Sequence, residues 1–426
     1  MNSLKKNLKI LLIPNLISKY DLSQLNNIKE TFLKFEIDSH IFNIDYSEEN
    51  LKNFLKINKF NIIFAVNKSR PDWLSKKIRF ISWFQDFYYN SDDKLESFLE
   101  SDIVYFYASP ESFGVKKKTK CFHSMLYPGI DSKKTISIFD EFGNNYQKID
   151  DYQILDFSIC GYMPAALLVP FFELHFRNYG YTEKHFNDNL IKGWFTELTD
   201  AKEKKYSLES YKNFLVDLQI IVETNYVPLS GYLDVKKIAS KVKKRILKMF
   251  NYIDTEIFNQ LIPFFTTEYS RFLDRIELAR LLSKHSINFG LFGKDWTSYT
   301  EFESFSSDHI SSEKELFSIY KKTKINLYNN THGLGMHSKT FEIMINGGFF
   351  ALPKSKKNYL KGGINEHFNE NEHFVTFSPE KFDDLIENWM FNTEKRIKIG
   401  NNARKLVISD HTWDKRIEKI LRDLDK

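Results

Sequence analysis

A short segment in the C-terminal half of the chain carries the residues best suited to bind an anion. Residues 324–352 have the pattern of a buried strand, a glycine-bearing loop, a helix that begins at Ser338 and ends before Gly347-Gly348, and a second apolar strand. The N-terminus of a helix presents unpaired N–H groups and the positive end of its dipole. The segment therefore predicts a phosphate-binding site, with the carboxylate of Glu342 one turn into the helix.

The residues of this segment have complementary expected roles. Gly333 and Gly335 let the loop backbone approach a diphosphate closely, Lys339 adds a mobile positive charge, and Glu342 lies within reach of the hydroxyl groups of a sugar ring. A nucleotide sugar offers both groups. Four neighbouring residues complete the expected set of ligand contacts: Ser338, Thr340, His332 and His337. For the two histidines the alternative is a plain loop residue, and a metal site lacks a third ligand with suitable spacing.

The elements that must position these residues alternate in type along the first part of the chain. The predicted strands are Leu8–Ile13, Glu36–Phe42, Asn61–Val66, Arg79–Phe84, Ile103–Ala108 and Lys120–Leu126. The predicted helices between them are Leu22–Lys34, Ser47–Leu55 and Asp92–Leu99. Strands that alternate with helices predict a parallel sheet with helices on both faces.

A second strand–helix region begins near Asp151. Its predicted strands are Ile154–Ile159, a run from Ile287, Ile325–Tyr328 and Phe349–Leu352, and its predicted helices are Glu313–Lys322, Lys339–Asn346, Pro379–Phe391, Glu394–Ile408 and a last one from Asp414. Residues 165–283 lack strand signals and have long apolar-periodic stretches, so we expect a mostly helical insertion there.

Several stretches of the chain resemble one known family. They are Lys324-Ile-Asn-Leu, Ser338-Lys-Thr-Phe-Glu342, Asn346-Gly-Gly348, Glu366-His-Phe, Glu372-His-Phe-Val-Thr-Phe377, Ala403-Arg and His411-Thr-Trp-Asp-Lys-Arg416. This set resembles the glycosyltransferase group 1 family of GT-B fold, in the branch typified by the spore-maturation protein CgeB. The resemblance implies an α/β protein with two Rossmann-like domains that face a cleft.

The resemblance also implies which parts of the chain form which domain. Residues 1–150 would form the acceptor domain, and residues 151–408 the nucleotide-sugar-binding domain with its helical insertion at about 165–283. Residues 409–426 would form a helix that crosses back to the first domain. The implied activity is metal-independent transfer of a sugar from a nucleotide sugar, without a cofactor, to a cell-surface glycan or glycoprotein of a bacterium.

The family pattern assigns Glu342 to the ribose hydroxyls of the donor. Retaining members carry a second glutamate eight positions earlier, where this chain has Leu334. That departure favours an inverting mechanism. It also leaves open an alternative, a catalytically inactive GT-B-like protein that binds a nucleotide or a glycan.

Basic residues near a second predicted strand suit the leaving diphosphate. Gly293 and Lys294 follow that strand, at the edge where open α/β sheets bind ligands. Together with Lys339, or with Arg271 and Arg275 from the preceding helix, Lys294 would neutralise the diphosphate without a metal. The alternative for each lysine is an ordinary solvated side chain.

The first domain is expected to supply the general base of an inverting transfer. Asp86 directly follows a predicted strand, and Trp83 beside it is suited to stack on a sugar. A carboxylate in this place can take the proton of the acceptor hydroxyl. A helix cap is an equally good role for Asp86. Arg70, in another loop after a strand, is expected to line the same cleft.

Composition narrows the class of protein. The chain has 42% hydrophobic and 27% charged residues, which is typical of a folded protein. Its net charge of +5 is too small to indicate a nucleic-acid partner. A Gly-x-Gly-x-x-Gly after the first strand and a Walker loop are both missing, which disfavours a dinucleotide-dependent oxidoreductase and a nucleotide hydrolase.

Charge and cysteine content bear on location. The basic run at residues 236–248 allows weak contact with an anionic membrane surface, although a solvated helix face is the more common explanation. Cys121 and Cys160 form neither a disulfide framework nor a metal motif, and the apolar run before Pro14 is too short for a signal peptide. We therefore expect a cytoplasmic protein, with a peripheral position at the inner membrane face if the basic run makes that contact.

Overall fold

The chain folds into two compact units, each built from discontinuous parts of the sequence. The computed structural model describes residues 8–86, 95–113, 115, 119–131, 133, 135–163, 190–200, 206–230, 232–285, 287–294, 296–307, 310, 312–329 and 336–425. The first unit groups Met1–Ile136, Met336–Ile345 and Asn402–Lys426, and the second groups Ser137–Gly335 and Asn346–Asn401. Each unit contains a six-stranded sheet.

All strands of the first sheet run parallel. They are β1 (Lys9–Ile13), β2 (Asp38–Ile41), β3 (Ile62–Val66), β4 (Arg79–Phe84), β5 (Ile103–Phe106) and β6 (Phe122–Met125), in the spatial order β2-β1-β3-β4-β5-β6. Helices α1 (Lys19–Lys34) and α2 (Glu48–Ile57) connect the first three strands. Because crossover helices cover a parallel sheet, its central strands are mainly apolar, as in β3, where every residue is apolar and buried.

Serine caps fix where these helices begin. The hydroxyl of Ser18 accepts a hydrogen bond from the Asp21 N–H at 3.0 Å, and Ser47 caps α2 through the Asn50 N–H at 3.1 Å. Each helix therefore starts directly after the loop that leaves its strand. Because β1 and β3 are parallel neighbours, the loops that follow them lie at the same carboxyl edge of the sheet, at the point where the strand order reverses.

The C-terminal helix packs into the core of the first unit. Trp413 lies edge-to-face against Trp83, with ring centroids 5.9 Å apart. The buried Arg416 donates to the carbonyl oxygen of Tyr127 at 2.9 Å. These contacts tie the end of the chain to the core beneath β4.

The second sheet has the strand order of a dinucleotide-binding fold. Its strands are β7 (Leu155–Cys160), β10 (Phe289–Phe292), β11 (Ser306–Ser307), β12 (Thr323–Leu327), β13 (Phe350–Pro353) and β14 (Val375–Phe377), in the order β11-β10-β7-β12-β13-β14. In sequence order this is 3-2-1-4-5-6, and all pairs are parallel. The order reverses at β7, which pairs with both β10 and β12.

Helices surround this second sheet and fill the connection between β7 and β10. The remaining helices of the described chain are α3 (Ile138–Phe142), α4 (Tyr146–Tyr152), α5 (Leu190–Asp200), α6 (Leu208–Glu223), α7 (Val235–Phe250), α8 (Thr255–Pro263), α9 (Tyr269–Ser283), α10 (Glu313–Lys322), α11 (Ser338–Ile345), α12 (Phe382–Trp389), α13 (Thr393–Asp410) and α14 (Trp413–Leu424). Of these, α11 and α14 belong to the first unit. A two-stranded antiparallel hairpin, β8 (Tyr226–Val227) with β9 (Tyr232–Leu233), lies between α6 and α7. The described part of the predicted insertion is thus mostly helical, as the sequence predicts, and residues 164–189 and 201–205 lie outside the described residues.

One predicted helix is wrong in its described part. Asp92–Leu99 was expected to be helical, but residues 95–99 form turns, and residues 87–94 lie outside the described residues. The carboxylate of Asp102 explains the difference, because it accepts hydrogen bonds from the N–H groups of Leu99 and Phe80, each at 2.8 Å. A side chain that bonds these backbone groups competes with a helix.

The structure also bears on membrane insertion. Within the part of the chain that the structure describes, no helix combines the length and apolar character needed to cross a bilayer.

Candidate functional site

Two loops meet at the carboxyl edge of the second sheet. Gly161 follows β7 and Gly293 follows β10. A Cβ atom on Gly293 would lie 2.5 Å from the carbonyl carbon of Gly161, and Gly293 has φ +133°. Both the close approach and the backbone conformation therefore require glycine at position 293. The two loops form one continuous surface at the point where the strand order reverses.

Arg275 is fixed beneath this surface. Its side chain lies on α9 and is 2% exposed. Its Nε donates to Oδ1 of Asn329 at 3.1 Å, and a terminal nitrogen donates to the carbonyl oxygen of Tyr162. Asn329 follows β12, so the guanidinium group joins the loops on both sides of the reversal point.

Lys294 contacts the same loop from the other side. Its carbonyl oxygen accepts a hydrogen bond from the Met163 N–H at 2.8 Å, and its side chain is exposed. The structure thus brings together three residues that the sequence predicted as donor contacts: Gly293, Lys294 and Arg275. They surround residues 161–163.

A second arginine lies one helical turn from Arg275. Arg271 donates to the hydroxyl of Tyr162, and its guanidinium carbon lies 4.9 Å from the centroid of the Tyr162 ring, against 5.3 Å for Arg275. Two like charges on one aromatic ring repel each other, so an anion bound beside them would be stabilised. Sequence reasoning missed Tyr162 and Asn329, although each lies two residues after a strand of the parallel sheet.

A buried carboxylate adjoins this pair of arginines. Asp274 accepts hydrogen bonds from the Leu229 N–H and the Tyr226 hydroxyl. Burial raises the pKa of Asp274 from 3.8 to about 6, although these hydrogen bonds and the positive charges of Lys357 and Arg275 act in the opposite direction. Burial also lowers the pKa of Lys357.

The raised pKa of Asp274 makes stability depend on pH. Between pH 3.8 and about 6 the folded state binds a proton that the unfolded state has lost, so the free energy of unfolding falls as pH rises through this window. The full difference is at most about 3 kcal/mol. We expect Asp274→Asn, which keeps an acceptor oxygen for Leu229, to flatten this part of the profile in urea unfolding at pH 4, 5, 6 and 7. The exposed control Asp151→Asn should follow the wild type, and parallel wild-type and Asp274→Asn profiles would refute the assignment.

The helix expected to bind phosphate is α11, in the first unit. Nδ1 of His337 accepts a hydrogen bond from the Lys339 N–H at 3.3 Å, and the His337 carbonyl oxygen accepts one from the Thr340 N–H at 3.0 Å. Two first-turn N–H groups are therefore already bonded to His337, which the sequence did not predict. The imidazole must move before the Lys339 N–H can reach a phosphate oxygen.

The outer face of α11 has the predicted polar strip. Ser338, Lys339 and Glu342 are half-buried, whereas Thr340 and Phe341 are buried. Ser338 accepts a hydrogen bond from the Tyr20 hydroxyl at 3.3 Å. Thr340 thus points away from the strip and is unsuited to ligand contact. The predicted loop residues His332, Gly333, Leu334 and Gly335 lie outside the described residues.

Asp86 lies at the carboxyl edge of the first sheet and is oriented by Asn67. The Asn67 side chain donates from Nδ2 to Asp86 Oδ2 at 2.5 Å and accepts from the Gln85 N–H at 2.7 Å. Asn67 itself has φ +54°, a conformation that asparagine tolerates better than most residues. The carboxylate is exposed, so a hydroxyl group can reach it. Sequence reasoning missed Asn67, which directly follows β3.

Lys68 lies beside this pair at the point where the first sheet reverses its strand order. Its Nζ donates to the carbonyl oxygen of Asn15 at 3.0 Å and lies 4.7 Å from the centroid of the Tyr46 ring. Burial lowers the pKa of Lys68, and the charge of Asp21 partly offsets this.

Two residues expected on the acceptor side are instead inside the first unit. Trp83 is fully buried, and its indole N–H donates to the carbonyl oxygen of Leu126 at 2.7 Å. Arg70 is 4% exposed and bonds Asp102 Oδ1 at 3.0 Å and the Ser75 carbonyl oxygen at 2.9 Å. Trp83 is buried because the strands of a parallel sheet are covered on both faces, and Arg70, which lies after β3, is held inside by Asp102 and the Ser75 carbonyl oxygen. We therefore leave both residues out of the acceptor site.

Arg70 should consequently affect stability. Arg70→Met leaves the Asp102 carboxylate buried and unpaired, so we expect the free energy of unfolding to fall by about 3–5 kcal/mol. Urea unfolding measures this. The control is Arg280→Met, which removes an exposed ion pair with Glu301 and should cost at most about 1 kcal/mol. Equal effects of the two changes would contradict the structural role of Arg70.

Over the described ranges, no group of three or more His, Cys, Asp or Glu side chains is arranged to hold a metal ion.

Comparison with known proteins places this geometry in context. Residues 270–422 match a family model described as "Glycosyl transferase-like". A crystal structure of Anabaena HepE in complex with UDP-glucose aligns over 98% of this chain and 100% of its own, with 9% identity and a TM-score of 0.52. The complex of HepE with UDP and glucose gives the same coverage and identity and a TM-score of 0.50. A glycosyltransferase from Rickettsia africae ESF-5 covers 98% and 97% of the two chains at 10% identity, with a TM-score of 0.46.

A search of the curated proteins finds no match to this chain. The structural similarity to HepE spans both sheets, at 9% sequence identity. It confirms the predicted α/β fold of GT-B type with two Rossmann-like sheets, and the C-terminal part of the chain is similar to the glycosyl transferase-like family.

Proposed function

We propose that this protein is a glycosyltransferase that moves a sugar from a nucleotide-sugar donor to a glycan or glycoprotein acceptor. Three findings support this: the family match over residues 270–422, the GT-B fold, and the charged surface at the carboxyl edge of the second sheet. The similar HepE structures hold UDP-glucose, or UDP and glucose. A nucleoside diphosphate sugar is therefore the donor class that we propose here.

The paired arginines are the observation that carries the proposal. Arg271 and Arg275 flank Tyr162 where β7 meets β10 and β12, the place where open α/β sheets bind nucleotides. Their guanidinium groups and Lys294 can stabilise the charge that develops on a leaving diphosphate. This charge stabilisation needs no metal ion, so we propose metal-independent transfer.

The remaining roles follow from the chemistry of each side chain. We assign Glu342 to the ribose hydroxyls and Lys339 to the diphosphate, together with the backbone at Gly333 and Gly335. His332 and His337 are assigned to sugar or phosphate contacts. Asp86, oriented by Asn67, is assigned as the general base that takes the proton of the acceptor hydroxyl. With Leu334 in place of a glutamate, these roles favour inversion.

The acceptor and location are also part of the proposal. We propose a cell-surface glycan or glycoprotein of a bacterium, modified on the cytoplasmic side, and a place in the CgeB-like branch. The sequence resemblance of the C-terminal segments to that branch supports these assignments.

One observation favours a second candidate, a nucleotide- or glycan-binding protein without activity. His337 already bonds the Lys339 and Thr340 N–H groups at the start of α11. If the imidazole stays there, the diphosphate loses the Lys339 N–H as a donor, whereas the Thr340 N–H is bonded to the backbone carbonyl oxygen of His337 whatever the position of the ring. Binding of a nucleotide sugar without turnover would distinguish this candidate from the enzyme.

The ribose assignment can be tested by binding alone. Thermal-shift and calorimetric titration of nucleoside diphosphates should identify one preferred base. Glu342→Ala should then weaken its binding by about 10- to 100-fold, because a hydrogen bond to a charged group contributes about 1.5–3 kcal/mol. The exposed control Glu394→Ala should bind like the wild type.

The 2′-deoxy form of the preferred nucleotide sharpens this test. The wild type should bind it less tightly than the ribose form, whereas Glu342→Ala should bind the two alike. Unchanged binding of the ribose form by Glu342→Ala would contradict the assignment of Glu342 to the ribose hydroxyls.

A further inference from the structure

Helix α7 has one buried face and one strongly basic exposed face. Ile238, Val242, Ile246 and Phe250 are buried. The exposed residues on the opposite side are Lys236, Lys237, Ser240, Lys243, Lys244, Leu247 and Lys248. At 3.6 residues per turn these seven residues cover an arc of roughly 140° and a length of about 18 Å. We call them the lysine face.

The charge on the lysine face is uncompensated. Arg245, on the side of the helix, is paired with Asp217. Within the described part of the chain, none of the five lysines of the face forms an ion pair. The whole chain has a net charge of +5, so these five lysines equal its entire excess of positive charge. The other Lys and Arg residues of the chain, 56 in all, equal its 56 Asp and Glu residues in number.

The face also carries an apolar side chain. Leu247 is 42% exposed and lies among Lys243, Lys244 and Lys248 on the helical surface. Leucine surrounded by lysine stems suits an interface that is charged at its surface and apolar beneath it.

We propose that the lysine face docks on an anionic lipid bilayer. Lysine ammonium groups are compact point charges on flexible stems. They therefore suit the diffuse layer of lipid phosphates better than they suit a ligand whose contacts have fixed positions. The described residues of the face include no aromatic side chain on which a nucleic-acid base would stack. Leu247 enters the boundary between headgroups and acyl chains. This inference does not depend on the proposed sugar transfer.

Each lysine near an anionic surface contributes about 1 kcal/mol, which is about a fivefold change in the partition coefficient. Removal of three charges should therefore weaken binding about 100-fold. The effect should shrink as salt shortens the screening length.

The test uses the full-length protein and vesicle co-sedimentation. Vesicles of phosphatidylcholine mixed with phosphatidylglycerol should bind the protein, whereas phosphatidylcholine alone should not. The variant Lys237→Gln/Lys244→Gln/Lys248→Gln should lose about 100-fold in partition. The control Lys395→Gln/Lys398→Gln/Lys405→Gln removes three exposed lysines of α13, none of which forms an ion pair within the described residues. It loses the same net charge as the α7 variant but should bind within about twofold of the wild type. Thermal unfolding should be the same for all three proteins.

Leu247→Ser separates a bilayer from a soluble polyanion. We expect it to weaken vesicle binding about fivefold while leaving binding of a single-stranded oligonucleotide unchanged, because only a bilayer offers an apolar layer to the leucine. Equal losses in the α7 and α13 triple variants would overturn the proposal. So would tighter binding of the oligonucleotide than of anionic vesicles, combined with no effect of Leu247→Ser on vesicles.

Discussion

Arg275→Lys is expected to lower kcat/KM for the nucleotide-sugar donor by about 10²- to 10³-fold, the cost of losing one preorganised donor to a developing negative charge. Arg275 is held by Asn329 on one side and by the Tyr162 carbonyl oxygen on the other. A lysine keeps the positive charge but lacks the planar fork that makes both of these contacts. Steady-state kinetics with the donor varied, together with nucleoside diphosphate affinity, measures the effect.

The same helix offers a matched control for Arg275. Arg280 is exposed on α9 and pairs with Glu301 at 3.0 Å, so Arg280→Lys should retain wild-type kinetics. Thermal unfolding separates a loss of function from a loss of fold. A stable Arg275→Lys protein with unchanged kcat/KM and affinity would exclude Arg275 from the donor site.

Asp86→Asn should lower kcat by about 10²- to 10⁴-fold, the usual contribution of a general base. The change is nearly isosteric, and the amide oxygen can still accept the hydrogen bond from Asn67. Binding of the donor and of nucleoside diphosphate should therefore stay the same. Initial rates at saturating donor give kcat, and calorimetry gives the affinity.

A pH profile adds a readout that a structural role of Asp86 would not change. In the wild type, kcat should fall at low pH as the base is protonated, and Asp86→Asn should lack this acidic limb. Asp72→Asn, an exposed carboxylate of the same unit, serves as the control. Normal turnover by Asp86→Asn would show that Asp86 has another role, such as capping the chain that follows it.

The elements of the fold were largely predictable because parallel strands carry long apolar runs. All five residues of β3 are buried, and the predicted bounds Arg79–Phe84 and Glu313–Lys322 match β4 and α10. Serine caps such as Ser47 mark helix starts in the sequence itself. The turns at residues 95–99 were not predictable, since they depend on the buried side chain of Asp102.

The candidate site was predictable where it follows from strand ends. Gly293 and Lys294 directly follow a strand, and parallel strands place such residues at one edge of the sheet. The partners of Arg275 were not predictable, because Tyr162 and Asn329 are distant from it in sequence. The same reason explains Arg70, whose partner Asp102 lies on another loop.

The role of His337 shows a different limit. The sequence correctly places a helix start at Ser338, and the dipole argument then predicts open N–H groups. Whether the side chain of His337 already bonds one of these groups, the Lys339 N–H, depends on its rotamer, which the spacing of residues does not encode. His337 therefore changes the expected starting state of the site.

The release of nucleoside diphosphate from nucleotide sugars tests the central claim most directly. The full-length protein is incubated with each of a panel of nucleotide sugars, with and without glycan acceptors, and the products are resolved by chromatography and mass spectrometry. The account predicts that one donor yields its nucleoside diphosphate and a glycan heavier by one sugar, and that Arg275→Lys and Asp86→Asn suppress both products. Tight binding of a nucleotide sugar by the folded protein without release from any donor would contradict it.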